Sequence, residues 1–378
     1  MSRLAPLLLL LPAAALAADP PVGNLELVAA IDGPMPTGIT VSRAGRVFLT
    51  FPRWGDPVPF TVAELKNGRP VPYPSAEMNR PDGGAPAGRL LTVQSAVVDP
   101  LDRLWLCDTG TVKMGPVQPG GAKLLCYDLT TNLPVKSLSL GEPGVLPTTY
   151  LNDIRFDLRR GTEGMAFVTD SSAGGPNGIV VIDLATGQTW RRLHDHPSTK
   201  AEKGFTPTVE GKPVAKKPAP ASDPEPLAIG SDGIALSQDG KTLYYCPLAS
   251  RKLYSVSTDL LANPASTEEQ VAATVKEVAA RDFASDGLEH DAQGRLYLTD
   301  YEHNAVVRRS ADGKLEVIAR DPRLLWPDTL SLAADGFLYV TASQLHRQPA
   351  YQGGTDRREK PYQVFRVKTD GTPVRLTR

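Results

Sequence analysis

The sequence predicts an all-β fold, a six-bladed β-propeller, on three observations. One hairpin pattern recurs six times, a third and often a fourth strand follow most of these hairpins, and glycine and proline are unusually frequent. The 378 residues include 33 glycines and 35 prolines, about 18% of the chain, against about 12% on average. That surplus falls short of low-complexity composition and shows no collagen period, so it reads as many short elements joined by turns. The 41 basic and 42 acidic residues are interspersed, which leaves no basic footprint for nucleic acid or an anionic membrane.

The first segment stands apart from the fold. Arg3 precedes an apolar run over residues 4–16 that closes on Ala15-Leu16-Ala17. A basic start, a short apolar core and a small-residue site are the parts of a secretory signal. The run is shorter than the ~20 residues of a membrane span, and Pro12 interrupts it. Residues 1–17 are therefore expected to be an export signal and 18–378 one propeller domain, periplasmic or secreted. No membrane span and no nucleic-acid partner are expected, and the protein is expected to act as a monomer.

The repeat is a small polar residue, an apolar strand, a tight turn and a second strand. It begins at Thr37, Ser95, Asn152, Asp232, Asp286 and Asp328, spaced 58, 57, 80, 54 and 42 residues apart. The fifth copy reads Asp286-Gly-Leu-Glu-His-Asp-Ala-Gln-Gly-Arg-Leu-Tyr-Leu-Thr-Asp300. Asp239-Gly240, Gln293-Gly294 and Asp335-Gly336 supply the positive φ that a tight hairpin requires. Third strands follow at residues 178–184, 252–256, 305–309 and 363–367, and a fourth at 315–319. Four short strands in about 60 residues, six times over, match the blades of a propeller. Uneven spacing argues against a regular solenoid. A parallel α/β fold would need helices between strands, and only residues 264–281 have a helix-compatible pattern.

The longest interval holds residues 194–226, rich in Pro, Lys and Ala. Two readings stand, a solvated loop or a lid across one channel mouth. Export permits disulfides, and Cys107 and Cys126 lie on consecutive strand-like runs where they could pair or remain buried thiols. Cys246 is expected to be a buried thiol.

If the first strand of each blade lines the channel, the six repeat-opening residues form a ring of oxygen-bearing side chains at one mouth. Asn152, Asp232 and Asp286 then bring hard oxygens together, as a divalent cation, Ca²⁺ foremost, requires. The alternative is ordinary hydrogen bonding of Asp and Asn to nearby loop backbone. Asp153, beside Asn152, and Ser95 are candidate ligand contacts on the same ring. His290 is two residues from Leu288 and four from Asp286 on one strand face, so it is a channel candidate. Glu302 and His303 end the fifth hairpin, where His303 or Asp328 is a candidate general base. Arg53 and Trp54 follow the first hairpin and are candidates to stack a ligand. His194-Asp195-His196 is a weaker metal candidate. There is no G-x-S-x-G, H-E-x-x-H, P-loop or G-x-G-x-x-G, which leaves serine hydrolase, zincin and nucleotide chemistry without support.

These residues resemble the Yellow/major royal jelly protein family in its bacterial branch. The resemblance runs through Phe48-Leu-Thr-Phe-Pro-Arg-Trp54, Val93-Gln-Ser-Ala-Val-Val-Asp-Pro-Leu-Asp-Arg-Leu-Trp-Leu-Cys-Asp-Thr-Gly110 and Tyr150-Leu-Asn-Asp-Ile-Arg-Phe-Asp157. It continues through Ala166-Phe-Val-Thr-Asp-Ser171, Trp190-Arg191, Asp232-Gly-Ile-Ala-Leu-Ser237 and Leu243-Tyr-Tyr-Cys-Pro-Leu248. It implies a six-bladed propeller, export, a small organic molecule such as an aromatic amine in the axial cavity, and a link to dopachrome conversion. More distantly the chain is similar to the regucalcin/gluconolactonase propellers, which hydrolyse lactones with an axial divalent metal. Asn152, Asp232 and Asp286 fall on ligand positions of that family, but Asp232 stands for an Asn and Thr37 for the first-blade Glu. The expected function is thus a small-molecule-binding propeller, with a Ca²⁺-type lactonase or esterase as the alternative.

Overall fold

The computed structural model describes residues 20–82 and 84–378, so the expected export signal at 1–17 lies outside the described residues. Six four-stranded antiparallel sheets surround an axis, each strand hydrogen-bonded to the next in sequence. Their innermost strands are Ile39–Val41, Val93–Val98, Leu151–Asp157, Ser231–Leu236, Leu288–His290 and Pro327–Leu332. The sixth blade takes its outermost strand from the other end of the chain. Leu25–Ile31 pairs with Tyr362–Lys368, from Leu25 opposite Val367 to Ile31 opposite Tyr362, and closes the ring.

The strands are apolar on both faces because each blade packs against two neighbours. Six hydrophobic clusters form among the described residues, one at each junction between blades. Side chains alternate between them with a period of two. In the second blade Leu104 and Leu106 face the first blade, while Trp105 and Cys107 face the third. Trp105 stacks on Phe156 at 5.1 Å between centroids across that junction.

A belt of side chains ties the blades near one end of the axis. The repeat ends its second strand on Thr50, Cys107, Thr169, Cys246, Thr299 and Thr341. Thr50 Oγ1 donates to Gln94 O at 2.8 Å, Thr169 Oγ1 to Asp232 O at 2.6 Å and Thr341 Oγ1 to Thr37 O at 2.5 Å. Each bond therefore joins one blade to the innermost backbone of the next. Two cysteines occupy threonine places in this belt, and Cys246 Sγ makes the weaker version to Ser285 O at 3.8 Å.

Of the two readings of the cysteine pair, the structure has the buried thiols, with Cys107 and Cys126 both free. Cys107 faces Leu124 across the strand pair and Cys126 faces Trp105, so the register offsets them by two residues. Residues 264–281 are helical only over Glu268–Ala272, behind a Thr267/Gln270 capping box. Lys276–Ala280 forms the outer strand of the fourth blade, because the edge of Lys252–Ser257 needs a partner.

Residues 194–229 fold over one end of the propeller. Two miniature hairpins, Thr208–Val209 with Lys212–Pro213 and Ala215–Lys216 with Glu225–Pro226, give the segment form. Val209, Val214 and Leu227 bury themselves in the cluster that also holds Trp326, Tyr301 and Leu345. The lid reading is the one the packing follows. No helix among the described residues is long and apolar enough to cross a membrane.

Candidate functional site

The channel end beneath the lid is built from irregular backbone. Strand register slips between Val93 and Ser95, Leu151 and Ile154, Ser231 and Ile234, and Pro327 and Leu330. These bulges fall at the start of four innermost strands and re-aim Gln94, Asn152, Asp153, Asp232 and Asp328. In the first and fifth blades Thr37-Gly38 and Asp286-Gly287 precede the strand instead. The glycines are spatially required. A Cβ on Gly233 would lie 2.1 Å from Asp286 O, and one on Gly287 would lie 2.3 Å from Asp328 O. Successive ring residues thus nest backbone against backbone.

Four carboxylates share this ring. Asp153, Asp232 and Asp328 are buried and Asp286 is half-buried. None of the four belongs to an ion pair among the described residues. Asn152 Nδ2 donates to Asp232 Oδ1 at 2.6 Å, and Ser171 Oγ donates to Asp232 Oδ2 at 3.2 Å. Trp326 Nε1 donates to Asp286 Oδ2 at 2.8 Å. Burial, then the charges of Asp286, Asp153 and Asp328, push Asp232 well above the usual carboxylate range. Burial and Asp286 do the same to Asp328, and burial raises Asp153. Asp286 is pushed up to about 7 by burial, against the opposing bond from Trp326. Burial and mutual repulsion thus disfavour four simultaneous charges on the ring.

Aromatic side chains flank it. Trp326 lies between Tyr301, stacked at 4.2 Å, and His346 at 5.7 Å. Trp54 Nε1 donates to Tyr150 Oη at 2.5 Å, and Tyr150 Oη donates to Gln94 Oε1 at 2.8 Å. Tyr351 feels the charge of Asp286 and is pushed up to about 12, chiefly by burial. His346 connects the ring to the lid through Glu210 Oε2 at 2.8 Å, which also takes Arg347 Nε at 2.9 Å.

The remaining expected residues divide between this place and others. Ser95 is buried in the ladder opposite Cys107, and its neighbour Gln94 carries the side chain that reaches Tyr150. Thr37 is wholly buried in the hydroxyl belt. Arg53 spends its guanidinium on the carbonyls of Val58, Leu90, Leu91 and Asn79, so it braces loops. Glu302 accepts from Arg251, Ala284 N and Thr208 N, which makes it an anchor for the lid. His303 is bonded to Asp300 at 2.9 Å, and that bond raises its pKa. The other charges acting on His303 are Glu302 and Asp282, so nothing described joins it to Asp328. His290 is buried against Tyr244 at 5.7 Å, with Nδ1 on Asp291 O, between two blades. The strand face it was expected to share with Asp286 is interrupted because the strand begins only at Leu288. His194 meets Arg191 and His196 meets Ser198, so the pair has separate partners. Trp326, Tyr150, Gln94 and Tyr351 were not singled out from sequence. Trp326 had one signal, its place two residues before a ring Asp.

The fit to a divalent ion is incomplete. Asn152, Asp232 and Asp286 carry the hard oxygens calcium takes. Among the described residues, however, no three of His, Cys, Asp and Glu come close enough to hold a metal ion. Asn152 also turns its amide nitrogen, not its oxygen, toward Asp232.

Comparison with known proteins follows the same lines. The family model of the major royal jelly protein matches residues 91–374. Protein yellow of Drosophila madeirensis is 27% identical over 246 residues, covering 62% of this chain and 41% of its own length. Protein yellow of Drosophila melanogaster matches at 27% over 246 residues, 43% of its length. The chain thus spans about two fifths of these relatives. Among solved structures, the calcium-binding protein regucalcin of Agrobacterium tumefaciens aligns with TM-score 0.56 and 14% identity, over 93% of this chain and 98% of that one. A gluconolactonase of Xanthomonas campestris aligns with TM-score 0.53 and 14% identity, over 93% and 95%. At that identity the likeness is one of fold.

Proposed function

The chain belongs to the major royal jelly protein family, and from that premise we propose that it is an exported binding protein for a small aromatic amine. The amine occupies the acidic end of the axial channel, beneath the lid. One observation carries this reading: Asp153, Asp232, Asp286 and Asp328 converge with no ion pair to any of them among the described residues, beside the stacked rings of Tyr301 and Trp326. An ammonium group relieves the mutual repulsion and forms charge-assisted hydrogen bonds with the carboxylates. The aromatic surroundings suit its aromatic part through ring-edge contacts, since both faces of Trp326 are already covered by Tyr301 and His346. Trp326 keeps one carboxylate oriented, and the lid excludes water, which strengthens each of these contacts.

The competing reading is a calcium-type ion held by Asn152, Asp232 and Asp286 in a lactone hydrolase. Its support is the hard-oxygen chemistry of those three residues, and the incomplete gathering of donors weighs against it. Calorimetric titration with dopamine, para-cresol and calcium chloride separates the readings. Heat with dopamine, none with para-cresol, and at least about tenfold weaker dopamine binding in Asp232→Asn are expected. Heat with calcium alone, abolished by the same variant, would replace the amine reading with the metal one.

A further inference from the structure

The opposite end of the channel holds a cavity of about 130 Å³. Its walls are mixed, with Val41, Val97, Phe156 and Leu332 forming the apolar part. The end of the chain closes one side through Pro373, Val374 and Leu376. That strap is fixed by bonds from Ala292 N to Thr372 O at 2.9 Å and from Leu158 N to Leu376 O at 2.8 Å.

Two charged side chains from innermost strands enter these walls, Arg155 and Glu289. Arg155 is 9% exposed. Its Nη1 and Nη2 donate to the carbonyls of Ile154 and Leu288 at 2.9 and 2.6 Å, and its Nε is buried without a partner. Glu289 stands 3.8 Å from Arg155 Nη2, beyond hydrogen-bond reach. Glu289 is thus a long ion-pair partner, and Asp153 also feels the Arg155 charge, but no carboxylate hydrogen-bonds to the guanidinium among the described residues. The other carboxylates of the cavity are engaged. Asp99 takes Arg103 and Trp105 Nε1, and Asp102 takes Arg43 N.

We propose that this cavity is a separate binding site for a small aliphatic monocarboxylate, its carboxylate on Arg155 and its chain against Phe156, Leu332 and Val374. A buried guanidinium matches a carboxylate in charge and planar geometry. The volume is slightly below the ~150 Å³ cavity that accepts benzene, so a ligand of about six heavy atoms such as butyrate fits. Asp153 of the acidic ring acts on both Arg155 and Glu289, but the carboxylate site does not rest on the amine reading and survives its failure.

The test is titration of the full chain with sodium butyrate and with butanamide, its uncharged counterpart. Butyrate is expected to bind and butanamide not to bind. Arg155→Gln should weaken butyrate at least about tenfold, and Glu289→Gln should tighten it several-fold by removing the competing carboxylate. If Arg155→Gln fails to fold, Glu289→Gln decides alone. Absence of butyrate binding, equal binding of butanamide, or unchanged affinity in Glu289→Gln would overturn the proposal.

Discussion

The indole N–H of Trp326 meets Asp286 Oδ2 at 2.8 Å while the Trp326 backbone sits in the left-handed region, at φ 55°. A bulky residue rarely adopts that conformation, which costs on the order of 1–3 kcal/mol when the surroundings enforce it. Here the surroundings do enforce it. Tyr301 and His346 hold the ring on both faces, and Ser343 N and Gln344 N bond to the Trp326 and Leu325 carbonyls. The strain is spent on aiming one donor at one carboxylate of an acidic ring.

Trp326→Phe keeps the stack and removes that donor. The ionised form of Asp286 loses a hydrogen bond of about 1.5–3 kcal/mol. Dopamine affinity near neutral pH should fall about tenfold, with the Asp286 carboxyl titrating higher than in the parent. Calorimetry and carbon NMR of the carboxyl group read these effects separately.

The acidic ring also gives stability a pH dependence. Asp286 titrates at about 7 in the folded protein but near 4 when unfolded. Between these values the folded state binds more protons, so this group's contribution to stability is present at low pH and lost as pH rises. Buried His290 and half-buried His196, whose pKa values desolvation lowers, act in the opposite direction at low pH. The clean quantity is therefore a difference. Relative to the parent, Asp286→Asn should gain stability progressively from about pH 4 to about pH 7, at about 1.4 kcal/mol for each pKa unit removed. Denaturant melts across that range measure it.

Nesting of the ring backbone is open to a steric test. A methyl group on Gly287 would sit 2.3 Å from Asp328 O. Gly287→Ala should cost about 1–3 kcal/mol through forced backbone shifts and displace Asp328, weakening dopamine binding as well. Gly141→Ala, with open space around its Cβ position, should melt close to the parent.

The lid is fastened at two places of different strength. Glu302 is buried, and Glu302→Ala should destabilise the fold by about 1–3 kcal/mol, chiefly by leaving the Thr208 and Ala284 N–H groups unpaired, since Arg251 is exposed enough to be solvated. Glu210 is more than one-third exposed and holds His346 and Arg347 from the lid side. Glu210→Ala should change global stability by no more than about 1 kcal/mol. Hydrogen exchange over residues 205–217 should nevertheless accelerate, and dopamine should dissociate faster.

The architecture was legible because it is periodic. Hairpins recurring at Thr37, Ser95, Asn152, Asp232, Asp286 and Asp328 marked the innermost strands, and the acidic ring lies at those positions. The side chains that turn the ring into a candidate site were hidden for local reasons. A bulge inserts a residue, so Gln94 rather than Ser95 reaches Tyr150. Trp326 depends on a backbone conformation that composition does not signal, and Tyr351 on a loop meeting the lid. Arg53 and Glu302 were conspicuous charges near a mouth, yet both are absorbed by backbone partners. His290 depended on continuous strand alternation, which stops where the fifth innermost strand begins. The cysteines of the belt were readable in another way, since Cys107 and Cys246 stand where other copies carry Thr.

The central claim is that the acidic mouth exchanges its protons for an organic cation. Calorimetric titration with dopamine near pH 6.5, repeated in two buffers of different ionisation enthalpy, tests it most directly. Dopamine should bind with net proton release, because the ammonium favours the ionised carboxylates, and that release should shrink in Asp286→Asn. Binding with no proton release, or no binding to the folded protein, would contradict it.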